Sequence, residues 1–297
     1  MGWFTYKILD NIKKKWRLIL DYKNIKLVVS DLDGTLLNAD SHLNDLNKEM
    51  VLKLKDKGVK FTFATGRMDK MTWHFAQEVA LELPIISCNG AAMRYLGEKE
   101  PLYSKVLSQE QLEKINEICS KYSADYLFYT LDKVYYSKGS KRIEVIKKYN
   151  KIAESGEQVP VEIICLDQLE NGIPQEPINK TFIRFEEGED HNSKLGMELN
   201  QIEGVDLVVS SHGTADLIPE HTSKGEAVEF LAKSLNIDMK DVMTLGDQMN
   251  DISMLEKSGL AVAMQNATAE VKAHADIVAD HHDNDGLGKV LKRIFEL

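Results

Sequence analysis

The chain is poor in cysteine and proline, and it has neither long apolar runs nor an excess of positive charge. Its 297 residues include 3 cysteines and 6 prolines, and Cys88, Cys119 and Cys165 form no CxxC pair. Scattered cysteines of this kind predict reduced thiols in the cytoplasm and no structural zinc. No apolar stretch approaches the ~20 residues that a membrane-spanning helix needs. A net charge of −10 argues against binding to nucleic-acid polymers, which requires a basic surface.

What remains is the composition of an ordinary globular protein. Hydrophobic residues make up 43% of the chain and charged residues 28%, without repeats or low-complexity tracts. This length is sufficient for two domains, each with a hydrophobic core of its own.

The first 24 residues differ from the rest in charge. They contain six basic and two acidic residues, although the whole chain carries a charge of −10. The apolar residues with helical spacing in this segment are Phe4, Ile8, Ile12, Trp16, Ile19 and Leu20. Such a basic amphipathic helix either lies on an anionic membrane surface or packs on the protein itself or on a second copy. Both a monomer and a dimer are compatible with the sequence.

From Lys26 onward, strands and helices alternate, which is typical of a parallel α/β sheet. The predicted strands are 26–30, 59–64, 84–88, 242–245, 260–264 and 276–279. Most of these strands are followed directly by polar and glycine residues. A helix over 46–54, ended by Gly58, is predicted after the first strand, and a helix over 68–81 after the second.

The middle of the chain has a different pattern. A capping box at Ser108–Gln111 predicts the start of a helix. Further predicted elements are strands 125–137, 160–166, 179–186 and 205–210, and helices 140–150 and 191–201. Lys180 and Arg184 either contact a substrate or lie on solvated faces. The α/β pattern resumes at 216–219, so an α+β module is predicted to be inserted into the first domain.

Two aspartates, Asp31 and Asp33, come directly after the first buried strand. Neighbouring carboxylates repel each other and cost free energy to bury unless a positive group lies between them. A divalent cation fits this place, because open α/β sheets bind ligands at the carboxyl ends of their strands. The alternative is a solvated turn in which Asp and Gly only serve the backbone.

Four motifs together resemble those of the haloacid dehalogenase (HAD) superfamily, in order along the chain. They are Asp31-x-Asp33-Gly34-Thr35, Thr65-Gly66-Arg67, Lys224-Gly225 and Gly246-Asp247-x-x-Asn250-Asp251. The insert and the details Asn89-Gly90-Ala91 and Asn266-Ala267 resemble its Cof-type phosphatases, subclass IIB. The resemblance covers 25–297 and implies a Rossmann-like α/β core (25–103 and 212–297) with an α+β cap (104–211), after an N-terminal extension (1–24).

The resemblance also implies the roles of individual residues. Asp31 would be the nucleophile that forms an aspartyl-phosphate, and Asp33 the acid and base. Mg²⁺ would be held at Asp31, Asp33, Asp247 and Asp251, where Asp33 contributes its main-chain carbonyl and Asp251 supports the site from nearby. The residues implied to bind the substrate phosphate are Leu32, Thr65, Gly66, Lys224 and Asn250. Those implied to orient the site are Arg67, Asn89 and Asn266.

The function implied is Mg²⁺-dependent hydrolysis of small phosphomonoesters such as sugar phosphates, phosphorylated cofactors or nucleotides. Two alternatives stay open: a phosphomutase of the same subclass, and a non-catalytic sensor of phosphorylated metabolites. The motifs are complete, which argues against an inactive relative. The sequence does not identify the substrate, because the cap residues that would select it lie in the middle of the chain.

Overall fold

The protein is described by a computed structural model that covers residues 24–297 except 155, 157 and 212. The predicted N-terminal amphipathic helix therefore lies outside the described residues. The strands are β1 (Leu27–Ser30), β2 (Lys60–Phe63), β3 (Ile85–Ser87), β4 (Ala92–Arg94), β5 (Tyr103–Ser104), β6 (Asp125–Tyr129), β7 (Lys133–Tyr136), β8 (Glu162–Cys165), β9 (Lys180–Arg184), β10 (Val205–Ser211), β11 (Thr214–Pro219), β12 (Val242–Gly246), β13 (Leu260–Ala263) and β14 (Ile277–Val278).

The helices follow the strands in the alternating order that the sequence predicts for the core. They are α1 (Asp45–Leu54), α2 (Trp73–Glu78), α3 (Gln109–Lys121), α4 (Ile143–Ala153), α5 (Lys194–Leu199), α6 (Lys224–Ser234), α7 (Ile252–Lys257), α8 (Ala269–Ala273) and α9 (Gly286–Phe295). In the part of the chain that the structure describes, no helix has both the length and the apolar character needed to cross a membrane.

Five parallel strands form the central sheet, in the order β14-β13-β12-β1-β2. Leu27 of β1 pairs with Val242 on one side and with Lys60 on the other. Strands β1 and β12 are buried along their whole length, as expected for parallel strands with both faces covered. The predicted parallel α/β core is confirmed for five of its six predicted strands. The stretch predicted as strand 84–88 instead forms β3, which pairs antiparallel with β4 in a separate three-stranded sheet, β3-β4-β5.

A second sheet of six strands has the order β10-β11-β9-β6-β7-β8. All its neighbours are antiparallel except β7 and β8. Helix α3 packs on it through Leu112 and Ile115, which belong to the same apolar cluster as Phe128 and Leu217. The mixed α+β texture predicted for the middle of the chain is confirmed, although the stretch 125–137 forms a hairpin rather than one strand.

The expectation that the α/β pattern resumes at 216–219 is wrong. These residues belong to β11, which pairs with β9 and β10 in the six-stranded sheet. An apolar run such as Leu217-Ile218 is compatible with either sheet, and the antiparallel partners decide between them. The division into core and cap stays a prediction. Because β11 belongs to the six-stranded sheet, the boundary at which the cap ends moves from 211/212 to after Pro219.

The helix predicted over 68–81 is also shorter than expected. Residues Asp69–Thr72 form a 3-10 turn, and the α-helix comprises only Trp73–Glu78. Thr65 and Gly66 therefore do not lie at the start of an α-helix. In contrast, the capping box at Ser108 is confirmed: its hydroxyl accepts a hydrogen bond from the Gln111 amide at 3.2 Å.

Gly90 determines how closely the turn after β3 approaches the start of α6. A methyl group here would lie 2.2 Å from the Ser223 carbonyl oxygen, and the φ angle is +93°. We expect Gly90→Ala to lower the free energy of unfolding by about 3 kcal/mol or more, because backbone strain and overlap with a backbone atom add up. Equilibrium unfolding in urea measures this loss.

Gly97→Ala is the matched control for this prediction. Gly97 also has a positive φ of +82°, but nothing lies within 4 Å of the added methyl group. Its substitution should cost only the backbone term, about 1–2 kcal/mol. Equal losses in the two variants would contradict the importance of the contact with Ser223.

Candidate active site

Asp31 lies directly beyond β1, which is flanked by β12 and β2 in the central sheet. Its amide donates to the Leu245 carbonyl at 2.8 Å, which ties the residue to the neighbouring strand β12. The side chain is buried, and its Oδ1 accepts a hydrogen bond from the Lys224 ammonium at 2.5 Å. The strand end therefore presents a buried carboxylate next to a buried cation.

Lys224 is the first residue of α6 and bridges two carboxylates. Its Nζ is 2.5 Å from Asp31 Oδ1 and 2.6 Å from Asp251 Oδ1. The Ser223 hydroxyl caps the helix by accepting from the Glu226 amide at 3.1 Å. This cap fixes the helix start and with it the position of the lysine.

Asp251 is held from both sides. Its Oδ2 accepts hydrogen bonds from the amides of Asp247 and Gln248, each at 2.9 Å, while its Oδ1 accepts from Lys224. The carboxylate thus fixes the loop that follows β12. This arrangement is suited to supporting the site more than to binding a further ligand.

Asp247 follows β12 and is connected to the loop that follows β1. Its Oδ1 accepts from the Thr35 hydroxyl at 3.0 Å, and its Oδ2 accepts from Gln248 and from Asn266, both at 3.0 Å. Gly34 lies so close that a methyl group there would be 2.5 Å from Asp247 Oδ2. Asn266, predicted to orient the site, does so through Asp247 and the Gly34 carbonyl.

The buried charges of this cluster do not balance. Ligand oxygens of Asp31, Asp247 and Asp251 lie within 4.8 Å of one another, and Lys224 is the cation that bridges Asp31 and Asp251. Burial raises the pKa of Asp31 well above its usual range, and the neighbouring carboxylates add to this shift while Lys224 opposes it. Burial and the Asp251 carboxylate together raise the pKa of Asp247 to about 6. An all-oxygen cluster with excess negative charge fits a hard cation such as Mg²⁺.

The side chain of Asp33 lines the same cavity as Asp31 and pairs with Arg67. The guanidinium donates to both carboxylate oxygens, at 2.7 and 2.5 Å. The side chain of Asp33 is 51% exposed, so it faces solvent whereas Asp31 is buried. Arg67, predicted as an orienting residue, holds Asp33 in this position.

A chain of polar contacts connects the loops of the central sheet to the six-stranded sheet. Asn250 donates to Asn89 at 2.9 Å, and Asn89 donates to Asp216 of β11 at 2.8 Å. Asp216 forms an ion pair with Lys180 of β9 at 3.0 Å, and Lys180 donates to the Gly66 carbonyl at 2.7 Å. Lys180 is buried at this junction and not on a solvated face.

A cavity of about 960 Å³ opens in front of Asp31. Its walls include Thr65, Gly66 and Asn250 from the central-sheet side. The predicted phosphate-binding residue Leu32 has its side chain in the hydrophobic core, so only its backbone can reach a ligand. Asp216 was not among the residues predicted from the sequence; a lone acidic residue within the apolar strand β11 was the available signal.

His74 lies on α2 at the wall of this cavity. Its side chain is buried, and its Nδ1 has no hydrogen-bond partner among the described residues. Burial, assisted by the nearby Arg67, lowers the pKa to about 4. Because a histidine in the unfolded chain titrates near pH 6.5, the unfolded state binds the proton more tightly, and stability falls as the pH drops from 6.5 toward 4.

Through His74, the free energy of unfolding of the parent protein should be about 1 kcal/mol lower at pH 5 than at pH 7, after allowance for partial solvent screening. We expect His74→Gln to lack this decrease. Urea unfolding of both proteins at pH 7 and pH 5 measures the difference. His42→Gln, at an exposed position, controls for the loss of a histidine elsewhere. A pH dependence in His74→Gln identical to that of the parent protein would contradict this prediction.

Comparisons with known proteins find a family and relatives that span most of this chain. The sequence profile of haloacid dehalogenase-like hydrolases matches residues 28–291. A 5-amino-6-(5-phospho-D-ribitylamino)uracil phosphatase from Bacillus subtilis is 26% identical over 269 residues, which cover 91% of this chain and 95% of the relative. An HMP-PP phosphatase from Klebsiella pneumoniae is 28% identical over 260 residues, which cover 86% of this chain and 90% of the relative.

The fold is shared with solved structures as well. A HAD subclass IIB sugar phosphatase aligns with a TM-score of 0.74 and 23% identity, over 92% of this chain and 100% of the other. The predicted resemblance to the haloacid dehalogenase superfamily and the predicted class of enzyme, a phosphoric monoester hydrolase, are both confirmed, whereas the assignment to the Cof-type subclass IIB stays a prediction. The family profile spans nearly all of the described chain, and its motif residues meet around Asp31, so this chain belongs to the haloacid dehalogenase-like hydrolases.

Proposed function

We propose that this enzyme hydrolyses small phosphomonoesters with Mg²⁺ through an aspartyl-phosphate on Asp31. The observation that carries the proposal is the buried Asp31 carboxylate, which lies 2.5 Å from Lys224 at the cavity. A nucleophilic carboxylate next to a fixed cation is what phosphoryl transfer needs, because the transferred group carries charge on three oxygens.

The chemistry has two steps. An oxygen of Asp31 attacks phosphorus while the bond to the leaving oxygen breaks, and Asp33 gives a proton to that oxygen. Water then attacks the aspartyl-phosphate, with Asp33 taking its proton, and inorganic phosphate is released. Because Asp33 is paired with Arg67, one of its oxygens must turn from the guanidinium toward the substrate for this role.

Other residues bind and neutralise the phosphoryl group. Lys224 faces the oxygens nearest Asp31, and Thr65, Asn250 and the amides of Leu32 and Gly66 supply hydrogen-bond donors. Asn89 and Asn266 orient this set through Asn250 and Asp247. Together they would favour the transition state by fixed electrostatic contacts.

Mg²⁺ would be held by the side chains of Asp31 and Asp247 and by the Asp33 carbonyl. Asp251, predicted as part of the metal site, would position it from the second layer, since both of its oxygens already accept hydrogen bonds. When bound, the ion would neutralise charge on the phosphoryl oxygens.

The substrate is a small phosphorylated metabolite: a sugar phosphate, a phosphorylated cofactor or a nucleotide. The cavity of about 960 Å³ admits molecules of this size. The two relatives named above act on different phosphorylated compounds, which supports a class of substrate rather than one compound. Free cysteines at positions 88, 119 and 165 agree with a place in the cytoplasm.

Release of inorganic phosphate from a panel of phosphorylated metabolites tests the proposal. We expect turnover with Mg²⁺ and a loss of at least about 100-fold with EDTA, which Mg²⁺ restores. Isomerised sugar phosphate with little free phosphate would instead indicate a phosphomutase. Tight ligand binding without turnover would indicate a sensor.

A further inference from the structure

The six-stranded sheet contributes its own wall to the cavity in front of Asp31. Tyr129 of β6, Phe182 of β9 and Arg142, which immediately precedes α4, lie on this wall. Phe182 and Tyr129 are buried. The guanidinium carbon of Arg142 lies over the Phe182 ring, 4.7 Å from its centroid.

Two other cations of the cavity are already neutralised by carboxylates. Arg67 pairs with Asp33 through two hydrogen bonds. Lys180 pairs with Asp216 at 3.0 Å. Neither is therefore free to bind a second anion without giving up its present partner.

Arg142 differs from them. Across the described residues no carboxylate forms an ion pair with its guanidinium, and its Nε is buried without a hydrogen-bond partner. A buried guanidinium N–H that donates to nothing costs free energy. In a site facing a cavity, such a group is satisfied when a ligand supplies the acceptor.

The position of Arg142 is fixed before any ligand binds. Asp125 accepts hydrogen bonds from the amides of Lys141 and Arg142, both at 3.0 Å, and from the Ser140 hydroxyl. Stacking on Phe182 restricts the guanidinium plane further. A planar guanidinium held in this way suits a carboxylate or a phosphate, either of which it can bind through two parallel hydrogen bonds.

We propose that Arg142 selects substrates whose leaving portion carries a second anionic group, a carboxylate or a second phosphate. This inference rests on the proposed function, in which the transferred phosphoryl group is bound at Asp31 and Lys224. The second anion would lie against the wall formed by the six-stranded sheet, with Arg142 as its charged partner. Arg142 is thus a specificity-determining residue and not part of the bond-breaking chemistry.

Two matched pairs of substrates test the proposal. Glucuronic acid 1-phosphate and glucose 1-phosphate differ only in a carboxylate that replaces a hydroxymethyl group, and fructose 1,6-bisphosphate and fructose 6-phosphate differ in one phosphate. We expect the parent enzyme with Mg²⁺ to favour the more anionic member of at least one pair by about 10- to 100-fold in kcat/KM, the range of a charge-assisted hydrogen bond. The pair that shows the preference identifies the anion as carboxylate or phosphate.

Three variants separate a specific contact from general electrostatics. Arg142→Met should abolish the preference while leaving kcat/KM for the less anionic member within about 3-fold, and Arg142→Lys should restore part of it. Lys148→Gln removes an exposed cation from the same cavity wall and should change the preference by less than about 3-fold.

Several results would overturn the inference. Turnover of both pairs without a preference would remove it and leave the proposed function intact. An equal loss of kcat/KM for both members of a pair in Arg142→Met would have the same meaning. A loss of preference in Lys148→Gln as large as that in Arg142→Met would also remove the inference. No phosphate release from any of the four compounds or from the wider panel would instead refute the proposed function, and the inference with it.

Discussion

Asp31→Asn is expected to abolish phosphate release, with a loss of about 10⁴-fold or more in kcat. An amide has no nucleophilic oxygen comparable to that of a carboxylate, so the aspartyl-phosphate cannot form. The fold should persist, because asparagine has nearly the same shape and Lys224 keeps its second partner, Asp251, at 2.6 Å. Phosphate release and thermal unfolding, measured on the same preparation, separate the two effects.

Asp241→Asn is the control for removing an aspartate from the same sheet. Asp241 directly precedes β12, at the end of the strand opposite to Asp247, and it pairs with Lys26 at 2.7 Å. This variant should lose at most about 1 kcal/mol of stability, as for other partly exposed ion pairs, and keep full activity. Activity in Asp31→Asn above about 1% of the parent enzyme would refute Asp31 as the nucleophile.

The arrangement of the central sheet could be predicted from local sequence. Buried runs such as Leu27–Ser30 and Val242–Gly246 end in polar residues, and parallel strands bring those ends to one edge. This rule is sufficient to bring Asp31 and Asp247 together, although they lie in distant parts of the chain. Their motifs then indicated the family.

The contacts between the two sheets could not be predicted in the same way. The ion pair of Lys180 with Asp216, and the hydrogen bond from Asn89 to Asp216, depend on which strands become neighbours. The pattern of β11 fits a strand in either sheet, so its place follows from tertiary packing rather than from periodicity. Arg142 was missed for a related reason, because its significance lies in a buried Nε that has no partner among the described residues.

The length of α2 illustrates another limit of sequence reasoning. The predicted helix over 68–81 begins instead with a 3-10 turn, in which the buried Asp69 accepts hydrogen bonds from Trp73 and from Arg94 of β4. Arg94 also pairs with Asp132 in the hairpin between β6 and β7. A buried arginine with two carboxylate partners fixes this turn, and partners so distant in sequence leave no local signal.

Lys224→Met is expected to lower both activity and stability. Lys224 is buried between Asp31 and Asp251; burial opposes its charge, but Asp251 and Asp31 raise its pKa overall. Without the ammonium group, two buried carboxylates face each other without compensation, which should cost about 3–5 kcal/mol in the free energy of unfolding. Activity should fall by about 10²- to 10³-fold or more, because a fixed positive charge at the phosphoryl oxygens is lost.

Lys224→Met/Asp251→Asn separates these two consequences. Removing one of the uncompensated carboxylates should recover about 1–2 kcal/mol of the lost stability. Activity should stay low, because the positive charge facing Asp31 is still missing. Recovery of activity together with stability would mean that Lys224 contributes only to folding. Unfolding of Lys224→Met in urea at the same concentration as the parent protein would mean that the buried carboxylates do not need their cation. The excess of negative charge in the cluster would then no longer be a reason to expect a metal ion there.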